Sequence, residues 1–578
     1  MQLHHTVVSP SLPWLKHYES TVPFCIKDKL GKNLVEILDQ SCQRFATNDC
    51  LISLGGRLSY QQLYRYSYIF SAWLHQQGLK KGDRVVLIMP NLMQFVVAML
   101  GILRAGGIVV MCNPLSTEDE LSALLQDAQP SFIFIAQPLA AKLKQIALPT
   151  SVHQVIVTRL GDMQPFGRKL LIHFYAYLKQ FGFATKNVYK KILSNTKLNQ
   201  QKPRNKKIKI AQFHAILNKN KHLQMPPVVI KASDPAFLLY TGGTTAKPKG
   251  VLLSHKNMVA NLYQVQAWVE SSLQLGKETV LTALPMYHVF SLTGNCLLFL
   301  KLGGRNILIP DARNIHDVIR AFQQYEVNAF TGVNRLFKRL LQMPEFSQCN
   351  FSHLKVVIGG GSAIEPHVSK RWQAVTKRPL WQAYGLTETA PAVCMNPFNE
   401  NHKHDALGLP LPSTQVVIFD NKGNHLKSGQ VGEIGVQGPQ VMKGYYQNKT
   451  LTRKAFTEDG FFRTGDIGFM DKQGFVFLVD RKDDVINVSG FNVYPSEIEA
   501  TIMQIKGVQA CAAVGVPCEY TGQSIKVFIQ TSHSGLSTKF VVQHCQKKLT
   551  NYKVPSEVVF CSQLPLSLLG KVLRRKLR

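Results

Sequence analysis

The chain has no run of about eighteen apolar residues, so no membrane-spanning helix is expected anywhere in its 578 positions. Residues 1–20 do not place a basic stretch ahead of an apolar one, so no secretory leader is expected. The eleven cysteines include no C-x-x-C pair, which argues against zinc and disulfide frameworks and fits a reducing cytosol. The phosphate loop of the common nucleotide hydrolases, G-x-x-x-x-G-K-S/T, is also missing. Acid is scarce: 35 Asp and Glu face 67 Lys and Arg, for a net charge of +32. Such a surface attracts polyanions, whether nucleic acid, anionic lipid or phosphate-rich substrates. The excess is uneven, because residues 159–231 hold sixteen Lys and Arg against one acid, Asp162.

A chain this long is expected to form more than one core. Residues 33–135 alternate helical patterns with apolar strands at 84–89 and 107–112, which reads as layered α/β structure. Residues 159–231 break that rhythm. There, 166–183 mixes Phe, Leu, Ile and Tyr with Arg168, Lys169 and Lys179, and 195–209 is a polar basic tract. The alternation returns from Ala236 to Asp480, with strands expected at 355–360 and 416–420. The segment beyond Asp483 reads as a separate small domain. The expected organisation is an extension over 1–32, a large domain over 33–483 with a basic insertion at 159–231, and a small domain over 484–578.

The most informative stretch is Tyr240-Thr-Gly-Gly-Thr-Thr-Ala-Lys-Pro-Lys-Gly250. The apolar run 236–240 before it reads as a strand, and Ser254 after it reads as the N-cap of a helix through Val259 and Leu262. Gly242 and Gly243 let backbone amides turn toward an anion. Thr241, Thr244 and Thr245 add hydroxyls, and Lys247 and Lys249 add charge. Together these are the parts of a phosphate cradle between a strand and a helix.

Further motifs follow in order: Leu284-Pro-Met-Tyr-His288, Gly294-Asn-Cys-Leu-Leu-Phe299, Thr331-Gly-Val-Asn334, Tyr384-Gly-Leu-Thr-Glu-Thr389, Gly435–Tyr446 with Gly438-Pro-Gln-Val-Met442 inside it, Arg463-Thr-Gly-Asp466, Asp480-Arg-Lys-Asp-Asp484, Ser489-Gly-Phe-Asn-Val-Tyr-Pro-Ser-Glu-Ile-Glu499 and Gly570-Lys571. In this order the chain resembles the adenylate-forming enzymes, which include acyl-CoA synthetases, luciferases and peptide-synthetase adenylation domains. The closer resemblance is to the bacterial long-chain fatty-acid–CoA ligases, from about Asn33 to the C-terminus.

The resemblance implies a large multi-subdomain α/β adenylation domain and a small, mobile α+β C-terminal domain. It implies fatty acid, ATP and coenzyme A as substrates and Mg2+ as the metal. A carboxylate attacks the α-phosphate of ATP to give acyl-adenylate and pyrophosphate, and the thiol of coenzyme A then displaces AMP. Adenylation is mostly positioning and charge stabilisation on phosphate oxygens. By the same resemblance, Thr241, Gly242, Gly243, Thr244, Thr245 and Lys249 hold the phosphates, with Glu388 and Thr241 as oxygen ligands of the metal. Tyr384, with Gly385 and Thr387 in its motif, faces the adenine. Gly360 and Gly361 allow close backbone approach. Asp466 accepts from the ribose hydroxyls, and Arg481 makes a second ribose or phosphate contact. Lys571 stabilises the charge that develops in the first step. Asp483 is the hinge about which the small domain turns, withdrawing Lys571 and presenting Ser489 and Gly490 for the coenzyme A step. His288, grouped with Lys571 and Glu388 as catalytic, stands with Phe290 at the mouth of an acyl tunnel, or is simply a packed histidine. Gly332, Val333 and Asn334 form another tunnel wall.

Two departures from the pattern stand out. Ala246 occupies a position where the family often has glycine. The C-terminal motif reads Pro565-Leu-Ser-Leu-Leu-Gly570-Lys571, without its usual first lysine.

The basic stretch 166–183 and the tract behind it suit peripheral docking to an anionic membrane, which places the protein in the cytoplasm on the inner face of the cell membrane. The same residues also read as a surface loop of solvated lysines. A medium-chain or aryl acid, or transfer to a carrier protein, stays open as the substrate alternative, and a homodimer is compatible with the sequence. A nucleic-acid or membrane binder driven by charge alone leaves Glu388, Asp466, Arg481 and Lys571 unexplained, so no nucleic-acid partner is expected.

Overall fold

The computed structural model describes residues 12–165, 167, 208–241, 249–489, 491–531, 535–567 and 570–578. Loop positions 242–248, which carry Gly242, Gly243, Thr244, Thr245 and Ala246, lie outside the described residues. So do Gly490, all of 166–183 except Gly167, and most of 195–209.

Two large sheets form the body. The first runs, edge to edge, through Gly444–Tyr445, Lys249–Ser254, Pro235–Thr241, Ile108–Cys112, Arg84–Ile88, Phe132–Ala136, Gln154–Thr158 and Lys209–Gln212. The second carries Thr279–Thr282, Ala329–Gly332, Val356–Gly359 and Trp381–Gly385, with neighbouring strands of this group parallel. Parallel strands covered on both faces read as continuous apolar runs, and Phe132–Ala136 is buried at every position. Helix Met93–Arg104 is apolar around most of its circumference and buried along its whole length. Its side chains share one core with residues of both sheets, including Val85, Phe237, Val280 and Val356. The strands expected at 84–89, 107–112, 355–360 and 416–420 are present, each within a residue or so of those bounds.

One local expectation is corrected. The stretch after the Gly/Thr loop does not enter a helix directly. Lys249–Ser254 first forms a strand antiparallel to Pro235–Thr241, with Thr241 opposite Lys249 and Leu238 opposite Leu252. The run Val251-Leu252-Leu253 is better satisfied in the sheet core than on a helix start. Helix His255–Val269 begins after that strand, capped as expected by Ser254, whose hydroxyl accepts from the Asn257 N–H at 3.2 Å. The loop therefore joins the two strands of a hairpin, and the helix N-terminus stands one strand away from it.

Residues 415–481 form a four-stranded antiparallel sheet, Gln415–Phe419, Gly432–Gln437, Phe462–Met470 and Val476–Arg481. Beyond Asp484 the chain builds another sheet around the long hairpin Val508–Cys518 and Gly522–Thr531. That sheet has its own core, which includes Ile486, Ile498, Val527 and Val541. Positions 12–32 pack onto the body: the Ile26 N–H donates to Ser413 Oγ at 3.0 Å, and Trp14 is buried beside Gly474. Among the described residues, no helix is long and apolar enough to cross a membrane.

Candidate active site

Parallel strands leave their loops at the carboxyl ends, and the crevice there is where open α/β sheets bind ligands. Here Gly332, Gly360 with Gly361, and Gly385 mark those ends after Ala329–Gly332, Val356–Gly359 and Trp381–Gly385. A cleft of about 2250 Å³ opens above them, lined also by the four-stranded sheet and by residues beyond Asp484.

The sequence-derived residues converge on this cleft. Thr241, Lys249, His288, Phe290, Asn334, Gly360, Gly361, Tyr384, Gly385, Thr387, Glu388, Asp466, Arg481, Asp483 and Lys571 all line it. Three of the expected residues that the structure describes do not. Gly332 is packed so closely under Phe337 that a Cβ would stand 2.7 Å from the ring. Val333 lies behind Gly361. Ser489 is exposed away from the cleft, its N–H donating to Thr521 O at 2.9 Å.

Sheet register sets the floor. Asp466 stands directly opposite Arg481 across two antiparallel strands. Arg481 Nη1 donates to Asp466 Oδ1 at 2.5 Å, and the Tyr384 hydroxyl donates to Oδ2 at 2.6 Å. The Asp466 side chain is 5% exposed, so a lone charge there would be costly, and Arg481 supplies the counter-charge. Burial, and then the Asp466 carboxylate, push the Tyr384 phenol well up, so it remains the donor. Next to the floor, Glu433 is buried between Lys482, at 2.8 Å, and Arg463, at 3.5 Å.

Glu388 sits on the 3-10 turn Thr387–Thr389, half-buried. Its Oε1 accepts from the Tyr445 hydroxyl at 3.0 Å, and its backbone carbonyl accepts from Met442 N–H at 2.8 Å. Loss of water around the carboxyl raises its pKa, while the Tyr445 hydrogen bond and the charges of Arg481 and Lys249 work the other way. A desolvated carboxylate facing the cleft, which Thr241 also lines, suits a hard cation that prefers oxygen ligands and supplies positive charge. The residues therefore fit a magnesium ion.

Lys571 stands at the tip of a short hairpin in which Leu566 pairs Val572 and the Gly570 N–H donates to Ser567 O at 2.9 Å. Gly570 has φ +79, and a Cβ there would meet Arg335 of the body at 3.1 Å, so the turn needs glycine. The Lys571 side chain reaches solvent inside the cleft, but protein crowds around it. That desolvation lowers its pKa, with the Asp466 carboxylate opposing and the Arg481 charge assisting. Burial, and then the charge of Lys571, bring His288 down to about 4, so its imidazole is neutral at neutral pH. His288 Nδ1 accepts from the Phe290 N–H at 3.4 Å, which places the ring proton on Nε2. Asn334 is engaged structurally with Glu365: its Nδ2 donates to Oε1 at 2.6 Å, and its Oδ1 accepts from the Glu365 N–H at 3.0 Å.

The sequence reading missed two parts of the site. Tyr445 lies inside the Gly435–Tyr446 motif but was given no role, because its bond to Glu388 is a contact that only folding creates. The cleft's lining also includes apolar side chains, Val265, Val269, Leu273, Leu298, Phe299 and Met395, with Ala329 and Val356 at the opposite ends of their strands from Gly332 and Gly359. These side chains look like ordinary core in the sequence, so nothing there signals a cavity.

The family model described as AMP-binding enzyme matches residues 38–446, and that of the AMP-binding enzyme C-terminal domain matches 497–571. The chain is 42% identical over 567 residues to a long-chain-fatty-acid–CoA ligase of Escherichia coli O157:H7, covering 98% of this chain and 97% of that one. It is 33% identical over 574 residues to the ligase of the same description from Bacillus subtilis (strain 168), with the same two coverages. Among solved structures, ATP-bound MatB from Rhodopseudomonas palustris superposes with a TM-score of 0.77 at 25% identity, over 95% of this chain and 98% of that one. A Mycobacterium tuberculosis fatty acyl CoA synthetase shares the fold with a TM-score of 0.70 at 23% identity, over 94% and 97%. With both family models matched in order and full-length relatives above 30% identity, the chain belongs to the AMP-binding enzyme family, alongside its long-chain-fatty-acid–CoA ligases.

Proposed function

We propose that the chain is an AMP-forming acid–thiol ligase that activates a long-chain fatty acid with ATP and transfers the acyl group to coenzyme A. The observation that carries this reading is the lining of one cleft, polar at one end and apolar at the other. Lys571, Glu388 and the Asp466–Arg481 pair meet at the carboxyl ends of the parallel strands, and the apolar part of the lining includes Ala329 and Val356. Val356 to Gly360 spans four residues, about 13 Å of extended chain. An aryl acid would cover only part of such a lining, whereas an extended alkyl chain buries apolar surface along all of it.

In this reading Asp466 and Arg481 hold the ribose, Tyr384 backs the adenine, and Gly360 and Gly361 let the backbone approach the reacting phosphate. Lys571 offsets the charge that develops between the attacking carboxylate and the α-phosphate. The loop 241–249 holds the outer phosphates. Glu388 and Thr241 would hold the magnesium ion, which when bound neutralises phosphate charge. Neutral His288 shapes the acyl mouth beside Phe290 and leaves the positive charge there to Lys571. For the second step, rotation about Asp483 withdraws Lys571 and brings in Ser489 and Gly490. The placement of Lys571 inside the cleft and Ser489 outside it corresponds to the arrangement needed for the first step.

The sixteen basic residues of 159–231 support peripheral association with anionic membrane, where long fatty acids partition. Sedimentation with anionic vesicles, but not with neutral ones, is the expected result, and deletion of 195–209 is expected to weaken it.

ATP–pyrophosphate exchange across a panel of carboxylic acids tests the main reading. Exchange is expected to be strongest with long saturated or monounsaturated acids. A maximum with an aryl acid, or adenylate formation without thioester formation, would replace this reading with another member of the same chemistry.

A further inference from the structure

The short strand Gly444–Tyr445 pairs antiparallel with Lys249–Ser254, the strand that leaves the Gly/Thr loop, with Tyr445 opposite Val251. Its backbone is pinned from the other side as well, because the Tyr445 N–H donates to Thr452 Oγ1 at 2.9 Å. The turn into it admits no side chain: a Cβ on Gly444 would stand 2.5 Å from Thr452 Cγ2. From this fixed position the Tyr445 hydroxyl donates to Glu388 Oε1 at 3.0 Å, and the Lys249 ammonium lies 6.0 Å from the centre of the Tyr445 ring. A second tie, from Met442 N–H to Glu388 O at 2.8 Å, holds the same turn against the same segment. One side chain therefore bonds the carboxylate proposed to hold the metal and stands within cation–π range of the lysine proposed to meet the phosphates.

We propose that Tyr445 is a positioning residue for adenylation, fixing Glu388 by its hydroxyl and Lys249 by its ring so that metal ligand and phosphate charge keep one spacing. This rests on the adenylation reading above. The hydroxyl leaves Glu388 one defined orientation among the rotamers open to a glutamate. The ring attracts the ammonium through its electron-rich face, a contact that phenylalanine keeps. The two contacts can therefore be separated by substitution.

The test is manganese binding in the presence of ATP, read from the electron paramagnetic resonance signal of free Mn2+, for the wild-type protein, Tyr445→Phe and Tyr445→Leu. A hydrogen bond to a charged group is worth enough that Tyr445→Phe is expected to weaken the ternary complex about tenfold. In ATP–pyrophosphate exchange the half-saturating metal concentration is expected to rise by a similar factor, with excess metal restoring most of the rate. Tyr445→Leu is expected to raise the half-saturating ATP concentration as well, an effect absent from Tyr445→Phe. Thermal unfolding of each variant shows that it is folded. Unchanged manganese affinity in Tyr445→Phe, or a loss of rate equal at every metal concentration, overturns the proposal while leaving the adenylation reading in place. Absence of exchange in the wild-type protein overturns the adenylation reading itself.

Discussion

The floor of the cleft and the hairpin that carries Lys571 face each other but are built in opposite ways. Asp466 and Arg481 sit opposite each other in a sheet, and both Asp466 oxygens are already held, by Tyr384 and Arg481. Moving either would break strand register. Lys571 stands at the tip of a two-strand turn, and that tip meets the body near Arg335. Nothing in the sheets has to break for it to leave. The difference suits the proposed two-step reaction, in which the floor would serve throughout and Lys571 only in the first step. The small domain has its own core and sheet, as the proposed rotation requires.

The sharpest way to break this comparison is Lys571→Ala. Loss of a charge-stabilising group costs about 10²–10³ in rate, and that loss is expected in ATP–pyrophosphate exchange alone. Thioester formation from supplied acyl-adenylate is expected to stay within about threefold of wild type. Equal loss in both half-reactions would mean that Lys571 stays in the site throughout. On the floor side, Asp466→Asn removes the charge facing Arg481 and is expected to raise the half-saturating ATP concentration about 10- to 100-fold. An unchanged ATP requirement would show that the floor does not hold the nucleotide.

A smaller effect is expected from Ala329→Leu, which adds bulk to the apolar part of the lining. Longer acids are expected to lose about tenfold in kcat/KM through overpacking, while shorter ones are spared. Equal loss for all chain lengths would place the acyl chain elsewhere. A separate effect concerns the body alone. His255, 1% exposed, accepts from the Leu34 N–H at 3.3 Å through Nδ1, and burial lowers its pKa from 6.5 to about 4. The unfolded chain binds this proton below pH 6.5, whereas the folded chain binds it only near pH 4. The stabilisation from neutral His255 is therefore complete above pH 6.5 and is lost as pH falls toward 4, by about 3 kcal/mol at most. Urea unfolding across that range should show the slope, and His255→Asn should flatten it.

Much of this was legible before folding because the chemistry-bearing residues come in short ordered motifs. Glu388, Asp466, Arg481 and Lys571 were identified in this way, and the structure brings all four to one cleft. The α/β layering was legible from apolar runs such as 132–136, whose burial on both faces leaves no alternation to misread. The hairpin at the phosphate loop was not, because Val251-Leu252-Leu253 is short enough to suit a strand or a helix start, and only pairing with Phe237–Leu239 decides. Gly332 was read as tunnel wall; the structure adds that Phe337 packing leaves no room for a side chain there. Tyr445 and the apolar part of the lining depend on segments far apart in the chain, as Tyr445 bonds Glu388 and Val265 and Met395 line one cavity. No local pattern encodes such contacts.

The most direct test of the central claim is the product balance of the wild-type enzyme supplied with a long-chain fatty acid, ATP, Mg2+ and coenzyme A. The expected result is one AMP and one pyrophosphate for each thioester, with pyrophosphate exchange persisting when coenzyme A is omitted. Formation of ADP, or exchange that requires coenzyme A, would contradict an acyl-adenylate made on the fixed floor before the thiol arrives.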